Sequence, residues 1–189
     1  MVSDSEMIRK CKAGNVKYQS MLYEKFAPML MAICVRYTRT YEDAEDILHD
    51  SFVKILTNIE SCDEKGNIGA WMRTITINTA INAYNRRKRE GGKIEAEEVE
   101  ENVKDVRIAQ NDFLSEETLL RFVSELPDGY RTVFNLFEID GYSHLEIASM
   151  MGSSYSTVRS QLFKAKRALK QKIEKSLGKE LDDHLNTNQ

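Results

Sequence analysis

In the stretch "YEDAEDILHDSFVKILTNI", the residues Ala44, Ile47, Leu48, Phe52, Ile55 and Leu56 recur at steps of three and four. A helix of 3.6 residues per turn gathers such positions on one side, whereas a strand scatters them over both faces. The same spacing returns through most of the chain. With only two prolines and nine glycines among 189 residues, little interrupts it, and the chain reads as all-α.

Two small helical domains joined by a flexible acidic linker are expected. A first helix opens at Ser3, which with Glu6 fits a capping box, and runs to about Lys12. The second, "KYQSMLYEKFAPMLMAICVRYT", aligns Met21, Leu22, Phe26, Leu30 and Cys34, and Pro28 inside it is expected to kink or divide it. After the third helix, "SCDEKGN" reads as a loop, and a fourth helix runs from near Ile68 through "WMRTITINTAINAYNRRKR". Residues 91–112 are glycine-containing, acidic and poor in large apolar side chains, which suits a tether. Four more helices follow in 113–178: one from Ser115 to Ser124, one from Pro127 through "DGYRTVFNLFEI", then "SHLEIASMM", then "SYSTVRSQLFKAKRALKQKIEKSL". The expected division is 1–90, 91–112, 113–178 and a frayed tail 179–189.

Charge follows the same division. Residues 1–90 are net +2, 91–126 net −6 and 127–189 net +1, for a total of −3. No apolar run approaches the length of about 18 residues that a membrane span needs, and "MVSDSEMIRKCK" lacks the apolar core of a signal peptide. No membrane insertion and a cytoplasmic location are expected. Cys11, Cys34 and Cys62 are far apart and form no CxxC pair, so they read as reduced, partly buried thiols. His49, His144 and His184 are equally scattered. No metal, cofactor or catalytic cluster is expected, and the chain is not read as an enzyme.

The densest chemistry lies near the C-terminus. From Tyr155 to Lys175 there are seven cations (Arg159, Lys164, Lys166, Arg167, Lys170, Lys172 and Lys175) against one acid, Glu174. They follow a helix-turn-helix pattern. Ser143 and Glu146 can cap the first helix, Ala148 is small enough for a close crossing, and Gly152 suits a left-handed turn. Ser154 or Ser156 can cap the second helix. In that helix Tyr155, Val158, Leu162, Ala165, Leu169 and Ile173 form an apolar seam, with the cations outside it. Such a pair places a helix in the major groove, and contact with about four to six phosphates would make binding fall with roughly the fourth to fifth power of salt concentration. Arg159 is the residue best suited to bidentate reading of guanine.

A second basic segment lies in the first half. Asn78, Asn82, Asn85, Arg86 and Arg89 make a polar stripe ending in "RRKR". Trp71 and Tyr84 either offer flat surfaces for stacking bases or belong to the core. On the preceding helix Asp43, Asp46 and Asp50, with His49 beside them, form an acidic stripe that suits a basic partner.

Together these motifs resemble the extracytoplasmic-function group of bacterial sigma factors, from about Ser5 to Leu177. "DAEDILHDSFVKIL" looks like their region 2.2, "WMRTITINTAINAYNRRKR" like regions 2.3 and 2.4, and the segment from Leu126 to Leu169 like region 4. The resemblance implies core RNA polymerase, promoter DNA and an anti-sigma factor as partners. It assigns Asp43, Asp46, His49 and Asp50 to the polymerase coiled coil. Trp71, Asn78, Asn82, Asn85, Arg86, Arg87 and Arg89, with the loop from Ser61 to Asn67, would meet the minus-ten element. Ser154, Thr157, Arg159, Ser160, Phe163, Lys164 and Arg167 would meet the minus-thirty-five element. His49-Asp50 stands where the family often has Gln-Glu. The other reading of the same residues is a stand-alone helix-turn-helix regulator. A small nuclease would need a catalytic cluster that the sequence does not offer.

Overall fold

The computed structural model describes residues 2–90 and 115–187, with the side chains of 116, 117 and 177–187 excepted. The chain divides into two compact units between residues 92 and 93. Among the described residues every regular element is helical. The expected linker, 91–112, lies outside them.

The first unit holds α1 (Asp4–Lys12), α2 (Val16–Tyr37), α3 (Tyr41–Thr57), a 3₁₀ turn (Ile59–Ser61) and α4 (Ile68–Arg89). Each α-helix starts where a short polar side chain can accept from the first turn: Ser3, Asn15, Thr40 and Asn67 all do so. Helices α2, α3 and α4 pack pairwise, and α1 closes against α2. The core is built from Leu22, Phe26, Leu30 and Cys34 of α2, Ala44, Ile47, Leu48, Phe52 and Ile55 of α3, and Met72, Ile77, Ala80, Ile81 and Tyr84 of α4. Each large apolar side chain contributes about 1.5–3 kcal/mol on full burial. Helix α2 runs unbroken through Pro28. The division expected there does not occur, because Phe26 and Leu30 on either side of the proline are both held in the core.

The second unit holds α5 (Glu116–Ser124), α6 (Asp128–Phe134) widening into a π turn (Asn135–Ile139), α7 (His144–Met150) and α8 (Tyr155–Thr187). Phe122, Val123 and Leu126 pack on Ala165, Leu169 and Ile173 of α8. Arg131, only 1% exposed, sits in the corner between α5 and α6. Its Nη1 donates to the Ser124 and Leu126 carbonyls at 2.9 Å each, and its Nη2 donates to Asp128 Oδ1 at 2.7 Å. The turn therefore has a buried cation as its centre. The backbone of α8 continues past Gly178 to Thr187, so the frayed tail expected from 179 onward is helical as far as 187, and 188–189 lie outside the described residues. No proline follows Gly178 to stop it, and a single glycine costs a helix only about 1 kcal/mol.

Candidate nucleic-acid and partner interfaces

On α3 the seam that faces the core leaves the stripe beside it in solvent. Asp46, His49 and Asp50 are exposed, while Asp43 is half-buried. The Asp43 carboxylate lies 3.8 Å from the Arg87 guanidinium of α4, both side chains being over a third exposed. An exposed pair at that distance is worth about 0–1 kcal/mol. It nevertheless brings together two residues that the sequence placed on different surfaces.

Helix α4 presents Asn78, Asn82, Arg86 and Arg89 to solvent, with Asn85 and Arg87 half-buried at its edge. Arg89 Nε donates to the Asn85 carbonyl at 3.3 Å. Trp71 is half-buried. Tyr84 is only 4% exposed, so its ring is core and offers no stacking surface. It follows Met72, Ile77, Ala80 and Ile81 along the buried seam, which settles the choice that the sequence left open. The start of α4 is fixed by Asn67, whose Oδ1 accepts from the Ala70 amide at 2.9 Å.

In the second unit the helix-turn-helix forms as spaced. Ser143 Oγ accepts from the Glu146 amide at 3.3 Å, and the Ser143 amide donates to Glu146 Oε2 at 2.8 Å, a complete capping box. Hydrogen bonds from the Ser143 hydroxyl and amide hold the Glu146 carboxyl below its ordinary pKa. Gly152 takes φ +56° at the turn. Ser154, not Ser156, caps α8, accepting from the Thr157 amide at 3.1 Å. Ala148 and Val158 are buried at the crossing.

Along α8 the expected contacts separate. Ser154, Arg159 and Arg167 are exposed, and Thr157, Phe163 and Lys164 are half-buried. Ser160 is 9% exposed and counts among the buried polar residues. Its helical neighbours three and four residues on are Phe163 and Lys164, and a short side chain between two long ones is covered. A hydroxyl so placed does not offer itself to DNA. Tyr155 leaves the apolar seam and is 45% exposed, while Val158, Leu162, Ala165, Leu169 and Ile173 are buried as spaced.

The cations divide too. Lys166, 17% exposed, is 2.7 Å from Glu138. Lys172 is 2.5 Å from Glu125, and Lys170 pairs with Glu174 at 3.8 Å. Lys172 and Lys175 line a shallow cleft with Arg121 and Phe122, away from the helix-turn-helix crossing. At least three of the seven cations therefore have carboxylate partners within their own unit.

Neither Arg131 as a buried clamp nor His144 as part of the recognition region was marked by any sequence pattern. The His144 ring contacts Phe137, 4.4 Å away and tilted, and Tyr155, 5.6 Å away and edge-on. Burial chiefly, then the charges of Arg159 and Lys166, hold its pKa below the ordinary 6.5. The i, i+4 spacing of Tyr155 and Arg159 was the available signal.

The three cysteines are free and buried. Burial pushes the Cys34 thiol up to about 12 and raises Cys11 and Cys62 as well, the opposite of a reactive thiolate. Among the described residues no group of three or more His, Cys, Asp or Glu could hold a metal ion, and no helix is long and apolar enough to cross a membrane.

Comparison with known proteins divides the chain where the units divide. Residues 22–90 match the Sigma-70 region 2 model and residues 116–169 the Sigma-70 region 4 model, together more than half of the chain. The ECF RNA polymerase sigma-E factor of Salmonella typhimurium is 29% identical over 183 residues, covering 92% of this chain and 95% of the relative. The sigma-E factors of Escherichia coli K12 and Haemophilus influenzae are 28% and 27% identical over the same length, covering 92% of this chain and 95% and 96% of theirs. Among solved structures, the sigma factor RpoE in complex with the anti-sigma factor NepR from Bartonella quintana is 20% identical, covering 82% of this chain and 96% of its own, with a TM-score of 0.49. CnrH in complex with the cytosolic domain of CnrY is 19% identical, covering 90% and 97%, with a TM-score of 0.47.

Proposed function

The chain belongs to the sigma-70 family, within its extracytoplasmic-function group, and on that premise we propose that it docks on core RNA polymerase and directs it to promoter DNA by binding alone. Residues 1–90 serve as the polymerase- and minus-ten-binding domain, 113–178 as the minus-thirty-five domain, and 91–112 as the tether between them. Asp46, His49 and Asp50, with Asp43 at the edge, form the face for a basic coiled coil. Asn78, Asn82, Asn85, Arg86, Arg87 and Arg89 take the opened minus-ten strand, with Trp71 beside them. Ser154, Thr157, Arg159, Phe163, Lys164 and Arg167 face the upstream duplex, and Ser160 is left out because it is buried. An anti-sigma factor that covers these faces holds the protein idle, in the cytoplasm where the polymerase works.

One observation carries this reading: the first unit exposes an acidic stripe and an amide-and-arginine stripe on consecutive helices. A free DNA-binding regulator has no use for the acidic one. The test is run-off transcription with purified core polymerase on promoter fragments from the native genome. Specific transcripts are expected only when the chain is added. Asp46→Arg is expected to remove the chain from polymerase pull-downs without altering its helical circular dichroism. Specific duplex binding by the chain alone, with an unchanged pull-down for Asp46→Arg, refutes the proposal.

A further inference from the structure

We infer that Tyr155 and His144 act as positioning residues for Arg159, forming an aromatic brace that aims its guanidinium at the upstream promoter element. The inference rests on the reading of Arg159 as a base contact. Tyr155 is the first residue of α8 and Arg159 lies one turn later on the same face. The Arg159 guanidinium carbon is 5.9 Å from the centre of the Tyr155 ring, within the range of a cation–π contact. Among the described residues no carboxylate pairs with Arg159, so the ring is what orients it.

The ring is itself held. The His144 imidazole meets it edge-on at 5.6 Å and 61°. His144 opens α7 and lies 4.4 Å from Phe137 of the π turn, tilted by 40°. Phe137 also carries Lys166, whose Nζ is 5.7 Å from the ring centre and 2.7 Å from Glu138. This series of contacts thus takes one ring from each of three elements, with a cation on the Tyr155 ring and another on the Phe137 ring. Lys166 is neutralised by Glu138, and Arg159 is left to the DNA. A neutral imidazole suits the middle of such a series, since a charge there would repel both cations.

Packing alone does not account for Tyr155, because nearly half of its surface faces water. An exposed arginine has many rotamers, and bidentate reading of guanine requires one of them. A ring that already restricts the side chain reduces the ordering left for binding to impose. An exposed cation–π contact of this kind corresponds to about a two- to fivefold effect on binding.

The test uses holoenzyme assembled from core RNA polymerase and the full chain, offered a duplex library randomised across the upstream element. Arg159→Ala is expected to erase base preference at the positions it reads. Tyr155→Leu should weaken preference at those same positions by about two- to fivefold, leaving the others and the thermal unfolding of the chain unchanged. Tyr155→Phe should retain full preference, and His144→Ala should fall in the same direction as Tyr155→Leu. Adding Tyr155→Leu to Arg159→Ala should change nothing further. If Arg159→Ala loses preference while Tyr155→Leu does not, or if Tyr155→Leu lowers all positions alike, the brace is refuted. If Arg159→Ala leaves every preference intact, the reading of Arg159 fails and the inference with it.

Discussion

Replacing Arg131 by methionine tests whether the α5–α6 corner depends on a buried guanidinium. The side chain is 1% exposed and donates at least three hydrogen bonds, two of them to the Ser124 and Leu126 carbonyls. Methionine keeps most of the volume and none of the donors. The Leu126 carbonyl is buried, and a buried acceptor left without a donor costs about 1–3 kcal/mol. The Ser124 carbonyl is only partly buried and belongs at the lower end, about 1 kcal/mol. Asp128 is 37% exposed and can turn to water, adding about 0–1 kcal/mol as a surface pair does. Relief of the buried charge offsets part of this, since hydrophobic replacement of buried ions is often tolerated. A net loss of about 2–4 kcal/mol is expected. Because the chain divides into two compact units, the measurement is amide hydrogen exchange in the full chain, read on α6 and α8. The loss should fall on those helices and spare α2, α3 and α4. A change below about 1 kcal/mol, or a gain, would show that the carbonyls find other donors and that Arg131 is not the clamp.

Other consequences are open to direct measurement. Gly152 has φ +56° and nothing within 4 Å of where a Cβ would stand, so Gly152→Ala meets no clash and should cost the backbone strain alone, about 1–2 kcal/mol in urea denaturation. Gly152→Asn should cost less, because asparagine tolerates that region better than alanine. His144 is held below pKa 6.5 by burial first, then by Arg159 and Lys166. It binds fewer protons folded than unfolded, so its contribution is fully present above pH 6.5 and is lost as pH falls through the lower, folded pKa. Denaturation of the second unit over a pH series should show that fall, and His144→Phe should flatten it.

What the sequence disclosed and what it hid follow from the range of each force. Burial is periodic, so Ala44, Ile47, Leu48, Phe52 and Ile55 of α3, and Val158, Leu162, Ala165, Leu169 and Ile173 of α8, were legible as seams and are buried, while Leu56 at the edge of the α3 seam is half-buried. Local capping was legible too, since Ser143 and Glu146 are three residues apart and both halves of their box form. Pro28 does not divide α2, because its penalty, about 3 kcal/mol or more, is a local quantity. Burial of Phe26 and Leu30 on the same helix offsets it. Tyr84 could not be placed from spacing alone, because an aromatic suits both a core and a stacking face.

The cations of α8 were the hardest to read, for a related reason. Seven positive charges in one segment are a property of composition, but what each can do depends on carboxylates that lie far away in sequence. Glu125, which takes Lys172, is 47 residues distant, and Glu138, which takes Lys166, belongs to a π turn that no periodicity announced. A paired lysine contributes little to the field that a phosphate meets, because its carboxylate cancels most of it beyond a Debye length of about 8–10 Å. The electrostatic reach of α8 is therefore narrower than its charge count, and Arg159 and Arg167 are the exposed arginines within it. That narrowing favours a surface in which orientation matters more than number. An arginine steadied by a ring suits base reading better than a density of lysines does, because a lysine is a point charge without the guanidinium's planar fork.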